Sequence, residues 1–450
     1  MRSLFNMMLF VLFVRVCLAN AEERFSRFHA DQGGTGVYQD TLLKPPLKVK
    51  WRYFTEGSFK GSPIIHEGRL FTADRQGQVY CLDAESGRLL WKKYFLSAGN
   101  FNFKEMTIPL AYGDFLYVHY NAISNNNRKG WLTCLRISDG SEVWTVSNIG
   151  QQATYRAKSS PLCYKGKIYF LSDHIQEDTT IRLQCLDAQN GQSLWTRPWG
   201  PFHGANGYYG GDVVLCTLKT PAVIAGCFGS IASENWHPKF GRSFAVTADS
   251  GKLLWENPSI VCGNSQNLSL RDSIFYVGSN SVEYMGLVAA NVWTGVPIWN
   301  TSDGTYKVTL TDKFVMGRGY GGDAFVLNRM TGAKVSTGLD WSRFDLGPFA
   351  GKGTTGCGYV SIANGFGYCG FGHMYQNDTV NTPPGYYPRA GKGQGIYAFE
   401  VPTGFTPAKL KVCWFYRTAS NICSTPAVWN GKLYVTTNNE GAIYCFENDR

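Results

Sequence analysis

Short apolar or alternating runs, each ended by glycine, proline or a small polar cluster, fill the chain from Leu47 onward. None continues at the spacing of an amphipathic helix, and aromatic and β-branched residues dominate them. The pattern predicts strands joined by tight turns. In the best-formed stretch, Ser62–Ile65, Leu70–Ala73, Val79–Leu82 and Leu89–Phe95 read as four strands, with turns at Glu67-Gly68, Gln76-Gly77 and Glu85-Ser86-Gly87. Four antiparallel strands with tight turns make one propeller blade.

The last of these turns recurs with glycine four residues before tryptophan: Gly87/Trp91, Gly140/Trp144, Gly191/Trp195, Gly251/Trp255 and Gly295/Trp299. A period of roughly 40–60 residues marks a repeat architecture. Further units run from about Pro109 to Trp144, from Ser160 to Trp195, from Thr220 to Trp255, and on to Trp299. In the sixth, Phe325–Thr331 leads into Gly332, but Ser336 stands where tryptophan is due. In the seventh, Thr403-Gly404 is followed late by Trp414. The eighth, from Thr425 to Phe446, ends one strand short, and Leu47-Lys48-Val49-Lys50-Trp51 is a last strand with no blade of its own. The expected fold is therefore all-β: an eight-bladed β-propeller of four-stranded antiparallel blades, with the ring closed by an N-terminal strand. Seven blades is the alternative, since units six and seven are degenerate. Trp51, Trp91, Trp144, Trp195, Trp255, Trp299 and Trp414 are expected to wedge between blades as structural docking residues.

Residues 1–21 read as a signal peptide: basic Met1-Arg2, apolar Leu4–Val14, and a small-x-small site at Ala19-Asn20-Ala21. The protein is then exported, periplasmic or secreted, and no later segment is expected to cross a membrane. Arg15-Val16 before Cys17 lacks the small residue of a lipidation site. Residues 22–46 form an N-terminal arm, read as lying over the surface, and 47–450 are the propeller. The net charge of +10 permits an acidic partner. No Lys/Arg run clusters it, so nucleic acid is not expected, and the chain is expected to be a monomer.

Of the 13 cysteines, Cys81, Cys134, Cys185 and Cys445 share one register of the repeat, too far apart to bridge, and read as small buried hydrophobes. Cys357 with Cys369, or Cys413 with Cys423, are possible pairs. The lack of any C-x-x-C argues against zinc ribbons and attached c-type haem.

The copies Leu82–Trp91, Leu186–Trp195 and Ala248–Trp255 resemble the tryptophan-docking motif of quinoprotein (PQQ-type) β-propellers. The opening Gly33–Tyr38 followed by Leu47–Trp51 and Ser62-Pro63 is similar to the exported PQQ-like repeat proteins. The resemblance covers nearly all of the mature chain. It implies one of two functions: dehydrogenases of alcohols or sugars that bind pyrroloquinoline quinone and calcium, or binding proteins, among them the outer-membrane-assembly lipoprotein. The chain lacks the adjacent cysteine pair found in many of the dehydrogenases and a haem motif. No cofactor is expected. PQQ with calcium is a possibility that no specific residue supports, the metal content is unknown, and no catalytic residue is assigned.

In such a blade the turns after the first and third strands lie on one face of the ring, and the remaining connections lie on the other. The first face is tight, as at Lys165-Gly166 and Asn430-Gly431. The insertions fall on the second: Ser97–Lys104, Ala122–Gly130, Ser172–Thr180, Trp199–Asp212, Ser230–Gly241 and His373–Gly395. Long loops grouped on a rigid scaffold are where binding usually resides. His174, His203, His237 and His373 lie there as candidate ligand-binding groups. So do Tyr208, Tyr209, Tyr386 and Tyr387, beside Trp199 and Phe202, with rings suited to sugar or peptide faces. Arg156 and Arg318 could meet an anion there. The function expected is a binding scaffold for a protein or glycan on the insertion-loop face. The alternatives are a divergent PQQ-dependent oxidoreductase and an outer-membrane-assembly-like propeller.

Overall fold

The computed structural model describes residues 24–449, except 60, 96–101, 107, 125–126, 148–150, 153–159, 175–179, 201–206, 231–237, 261–267, 281–284, 303–306, 319–323, 345–358, 372–394, 423 and 439. For 102–105, 122–124, 127–129, 151–152, 173–174, 207–212, 227–230, 238–241, 279–280, 285, 318, 337 and 371 it describes the backbone alone. Residues 1–21, read above as a signal peptide, and Cys357 and Cys423, one member of each candidate pair, lie outside the described residues.

Eight separate sheets form the eight expected blades. Blade one is Ile64–His66, Arg69–Ala73, Gln78–Asp83 and Leu89–Tyr94, each strand antiparallel to the next. Blade eight is Ala427–Trp429, Lys432–Thr436 and Ala442–Asn448, and its fourth strand is Leu47–Phe54 from the other end of the chain. Trp51 pairs with Cys445 there, so the orphan strand closes the ring and covers the edge of Ala442–Asn448. The first turns of blades seven and eight carry two successive positive φ values, at Asn364-Gly365 and Asn430-Gly431. This is the mirror-image turn whose twist matches a hairpin.

Each docking tryptophan reaches across a seam. Trp51 meets Gly87 of the next blade, and the series continues as Trp91 on Gly140, Trp144 on Gly191, Trp195 on Gly251, Trp255 on Gly295 and Trp299 on Gly332. A β-carbon on these glycines would lie 2.4–2.8 Å from the indole. At four of these turns an aspartate or asparagine stands four residues upstream of the glycine, as where Asp83 Oδ1 accepts from the Ser86 amide and Asn291 Oδ1 from the Trp293 amide. The indole Nε1 then donates to a carbonyl beside that turn: Trp91 to Ile137, Trp144 to Ala188, Trp255 to Val292. Across the sheet, Cys81, Cys134, Cys185 and Cys445 stand directly opposite Trp91, Trp144, Trp195 and Trp51. All four are free and buried, and burial pushes their thiols up to about 12.

The seam between blades six and seven is built differently. Blade six keeps three strands, Thr309–Leu310, Phe314–Arg318 and Ala324–Asn328. The segment due as its fourth, Ser336–Asp340, instead runs parallel to Ala408–Arg417 and becomes the outer strand of blade seven. With serine at 336 no indole anchors that strand. The Ser336 hydroxyl accepts from the Val326 amide, and the chain then departs. Trp341 packs edge-on against Tyr397 at 5.1 Å and Phe415 at 6.2 Å. Gly404 has nothing within reach of an added β-carbon.

The N-terminal arm does not lie over the surface. Arg27, Phe28, His29, Thr35 and Leu43 are all at most 5% exposed. Phe25–Ser26 pairs with Leu110–Tyr112, the innermost strand of blade two. The arm then circles the axis. Leu215 of blade four donates its amide to Gln32, Leu270 of blade five to Gly33, Leu310 of blade six to Thr35, and Ile362 of blade seven to Gly36. Gln32 Nε2 donates to the Cys163 carbonyl in blade three, and the Gly431 amide of blade eight to Asp40. Arg24 meets Glu67 of blade one at 2.6 Å. These partners are the last residues of innermost strands and the turns that follow them, so the arm fills the channel at its tight-turn end. Eight inner strands present amides and carbonyls that water or a peptide must satisfy, and a glycine-rich arm can approach them closely.

Candidate functional site

The channel has one filled end and one end that carries the long connections. At the filled end the arm brings several polar groups onto the axis. Arg27 donates to the carbonyls of Gln32 at 3.2 Å and Val213 at 3.0 Å. His29 Nδ1 donates to the Gly34 carbonyl at 2.7 Å, and the Lys307 ammonium donates to the Leu268 carbonyl while standing over the Phe28 ring at 5.5 Å. Asp31 accepts from the Thr35 amide and hydroxyl. Burial raises its carboxyl pKa, against the opposing hydrogen bonds from Thr35 and the attraction of Arg27. The charges are spent on backbone and neighbours, which is how buried polar groups are tolerated. His29 and Ala30 both hold positive φ, 66° and 77°, a conformation that costs a non-glycine residue about 1–2 kcal/mol and that the surrounding ring imposes. The cluster is a structural floor. Sequence reasoning missed it because nothing in the order of residues 24–46 says that they enter a channel; the one available signal was their glycine content.

At the other end the candidate ligand residues are placed by the strands that carry them. His174 ends the second strand of blade three, Lys167–His174, and Arg318 ends the second strand of blade six. Tyr208 and Tyr209 open the innermost strand of blade four, Gly207–Cys216. Second strands end, and first strands begin, on the insertion face, so these four residues share that face on three blades. Their side chains, and all of His203, His237, His373, Tyr386, Tyr387, Arg156 and Phe202, lie outside the described residues. Trp199 is not a contact residue for a ligand: it is 4% exposed and stacks on Phe244 with ring centres 3.5 Å apart.

His119, in the second strand of blade two, is buried edge-on to Phe170 at 5.1 Å. Burial pushes its pKa down to about 3. A histidine whose folded pKa lies below its unfolded value near 6.5 favours unfolding as pH falls through that window. Stability should therefore drop by about 2 kcal/mol between pH 7 and pH 5 from this residue. His119→Gln should flatten that part of a denaturation-against-pH series, and an unchanged slope would remove His119 as its cause.

Among the described residues no three or more His, Cys, Asp or Glu side chains are grouped to hold a metal ion, and no helix is long and apolar enough to cross a membrane. The axial space at the tight end holds the arm.

The family model described as outer membrane protein assembly factor BamB matches residues 26–214. That span takes in the arm, the closing strand and the first three blades. The match covers less than half of the chain, and over that part the chain resembles the PQQ-like β-propellers. The chain is 27% identical over 232 residues to tetrathionate hydrolase of Acidithiobacillus ferrooxidans, covering 49% of this chain and 40% of that one. It is 26% identical over 290 residues to polyvinylalcohol dehydrogenase of a Pseudomonas species, covering 61% and 38%. It thus spans about two fifths of the length of these relatives. Among solved structures, BamB from Moraxella catarrhalis superposes with a TM-score of 0.58 at 14% identity, over 89% of this chain and 99% of that one. Quinohemoprotein alcohol dehydrogenase from Comamonas testosteroni gives 0.52 at 14% identity, over 93% and 80%. At these identities the superpositions carry the fold alone.

Proposed function

We propose that this propeller is an exported, non-catalytic binding scaffold that captures a protein or glycan on its insertion-loop face. The observation that carries the reading is the asymmetry of the channel. The protein's own arm occupies the tight-turn end, so the reading assigns binding to the end whose connections are long in the sequence. Rigid blades position loops there at little entropic cost, as binding sites on scaffolds generally require. Likeness to proteins named as outer membrane assembly factors supports a place in the cell envelope, in keeping with the signal segment.

The test is capture by the immobilised full chain, read on a glycan array and with envelope extract. Replacing Tyr208, Tyr209, Tyr386 and Tyr387 together by Ala should weaken capture at least ~10-fold, about 1.4 kcal/mol, without lowering the melting temperature. Undiminished capture would place the site elsewhere. Incubation with pyrroloquinoline quinone and calcium tests the oxidoreductase reading: tight binding with dye reduction by alcohols or sugars would replace the scaffold by an enzyme.

A further inference from the structure

On the tight-turn face, away from the channel mouth, the seam between blades three and four opens into a cavity of about 180 Å³. Its walls are Tyr164, Lys165 and Lys167 from blade three and Thr220, Pro221 and Asp249 from blade four, above buried Tyr169 and Ala248. The repeat allows this seam to be compared with its own copies. Directly after the glycine of the first turn stand Arg69 in blade one, Lys167 in blade three and Lys432 in blade eight. Lys432 pairs with Glu85 of the adjoining blade at 2.8 Å. Arg69 donates to the Ile137 carbonyl of the adjoining blade at 2.9 Å. At the seam of blades three and four the counterpart of Glu85 is Asp249, one methylene shorter. Lys167 reaches only the Asp249 backbone carbonyl, at 3.4 Å, and forms no ion pair among the described residues.

The docking tryptophan of this seam, Trp195, has no acceptor for its buried Nε1 among the described residues. The Ala248 carbonyl takes the Tyr169 hydroxyl at 2.7 Å, as the Ala84 and Ala188 carbonyls take Tyr434 and Tyr117 while also accepting Trp51 and Trp144. One seam therefore combines a cavity with a lysine that, unlike Lys432, has no carboxylate partner among the described residues. The other groups define what would fit. The Asp249 carboxylate, held below its ordinary pKa by hydrogen bonds from Thr247 and Ser250, can accept from ligand hydroxyls, and Thr220 can donate or accept. The Tyr164 ring and Pro221 offer flat apolar walls to C–H faces. The volume is below that of a pocket for a drug-sized molecule, roughly 300–1,000 Å³. We propose that this cavity binds a single carboxylate-bearing sugar unit, a hexuronate, with its carboxylate on Lys167 and Lys165 and its hydroxyls on Asp249 and Thr220.

The test is titration of the full chain with glucuronate and galacturonate, alongside the matching neutral hexoses and inorganic phosphate, by calorimetry or NMR. Saturable binding of a hexuronate is expected, with neutral hexoses and phosphate at least ~10-fold weaker. Lys167→Met should weaken hexuronate binding at least ~10-fold. Asp249→Glu should do the same by a different route, since the longer carboxylate can claim Lys167 as Glu85 claims Lys432. Asp249 is exposed, so this variant should keep the wild-type melting temperature. Absence of saturable binding, equal binding of the neutral hexoses, tighter binding of phosphate, or an affinity unchanged in Asp249→Glu would each overturn the proposal.

Discussion

Gly295→Ala should destabilise the protein by about 2–5 kcal/mol, while Gly404→Ala at the equivalent turn of blade seven should be close to neutral. The first figure has two sources. Gly295 holds φ at 67°, where an alanine costs about 1–2 kcal/mol. Its new methyl would also stand 2.4 Å from the Trp255 ring, and forcing extra volume into a packed contact costs about 1–3 kcal/mol. Trp255 cannot retreat easily. It is 8% exposed, stacks on Phe275 and donates to the Val292 carbonyl at 2.7 Å. Gly404 faces no indole, because blade six has serine where its tryptophan would be and has lent its fourth strand to blade seven, and it does not hold a positive φ. Denaturant midpoints for the pair, compared at constant slope, would check this. Equal losses at both glycines would mean that neither the positive φ nor the tryptophan contact at Gly295 sets the cost.

The second large effect is expected at the arm. A β-carbon at Gly33 would lie 2.3 Å from the Leu270 carbonyl oxygen, which is backbone of the inner strand and cannot swing aside. Gly33→Val should expel the middle of the arm from the channel and uncover Phe28 and the inner-strand amides. The expected loss is about 3–5 kcal/mol, in the range of severe single substitutions. Trypsin should then cut after Arg27, a residue 2% exposed in the wild type, under conditions where the wild type resists. A variant that loses stability but resists cleavage there would show that the arm stays seated.

The glycine–tryptophan repeat made the fold readable, because its offset marks every blade and leaves Trp51 as the missing strand. The same repeat foretold where regularity would fail: Ser336 announced the lost tryptophan. It did not announce that Ser336–Asp340 would cross to blade seven, since a parallel pairing with Ala408–Arg417 leaves no local pattern. The glycines were legible as turn formers; that they also make room for a neighbour's indole appears only when two blades are side by side. The arm was misread for a related reason. Gly33-Gly34-Thr35-Gly36 looks polar and solvent-ready, yet its missing side chains let backbone meet backbone inside the channel. Of the candidate site, the face was legible from loop lengths. The seam cavity was not, because it is formed by residues of two blades that meet only in the folded ring.

Amide hydrogen exchange tests the filled channel most directly. The amides of Leu215, Leu270, Leu310 and Ile362 donate to arm carbonyls. If the arm closes the tight-turn end, these four should exchange as slowly as amides in the strand ladders, and Gly33→Val should accelerate the Leu270 amide by orders of magnitude. Rapid exchange at all four in the wild type would contradict a channel closed by its own N-terminal arm, and with it the assignment of the insertion-loop mouth as the free end.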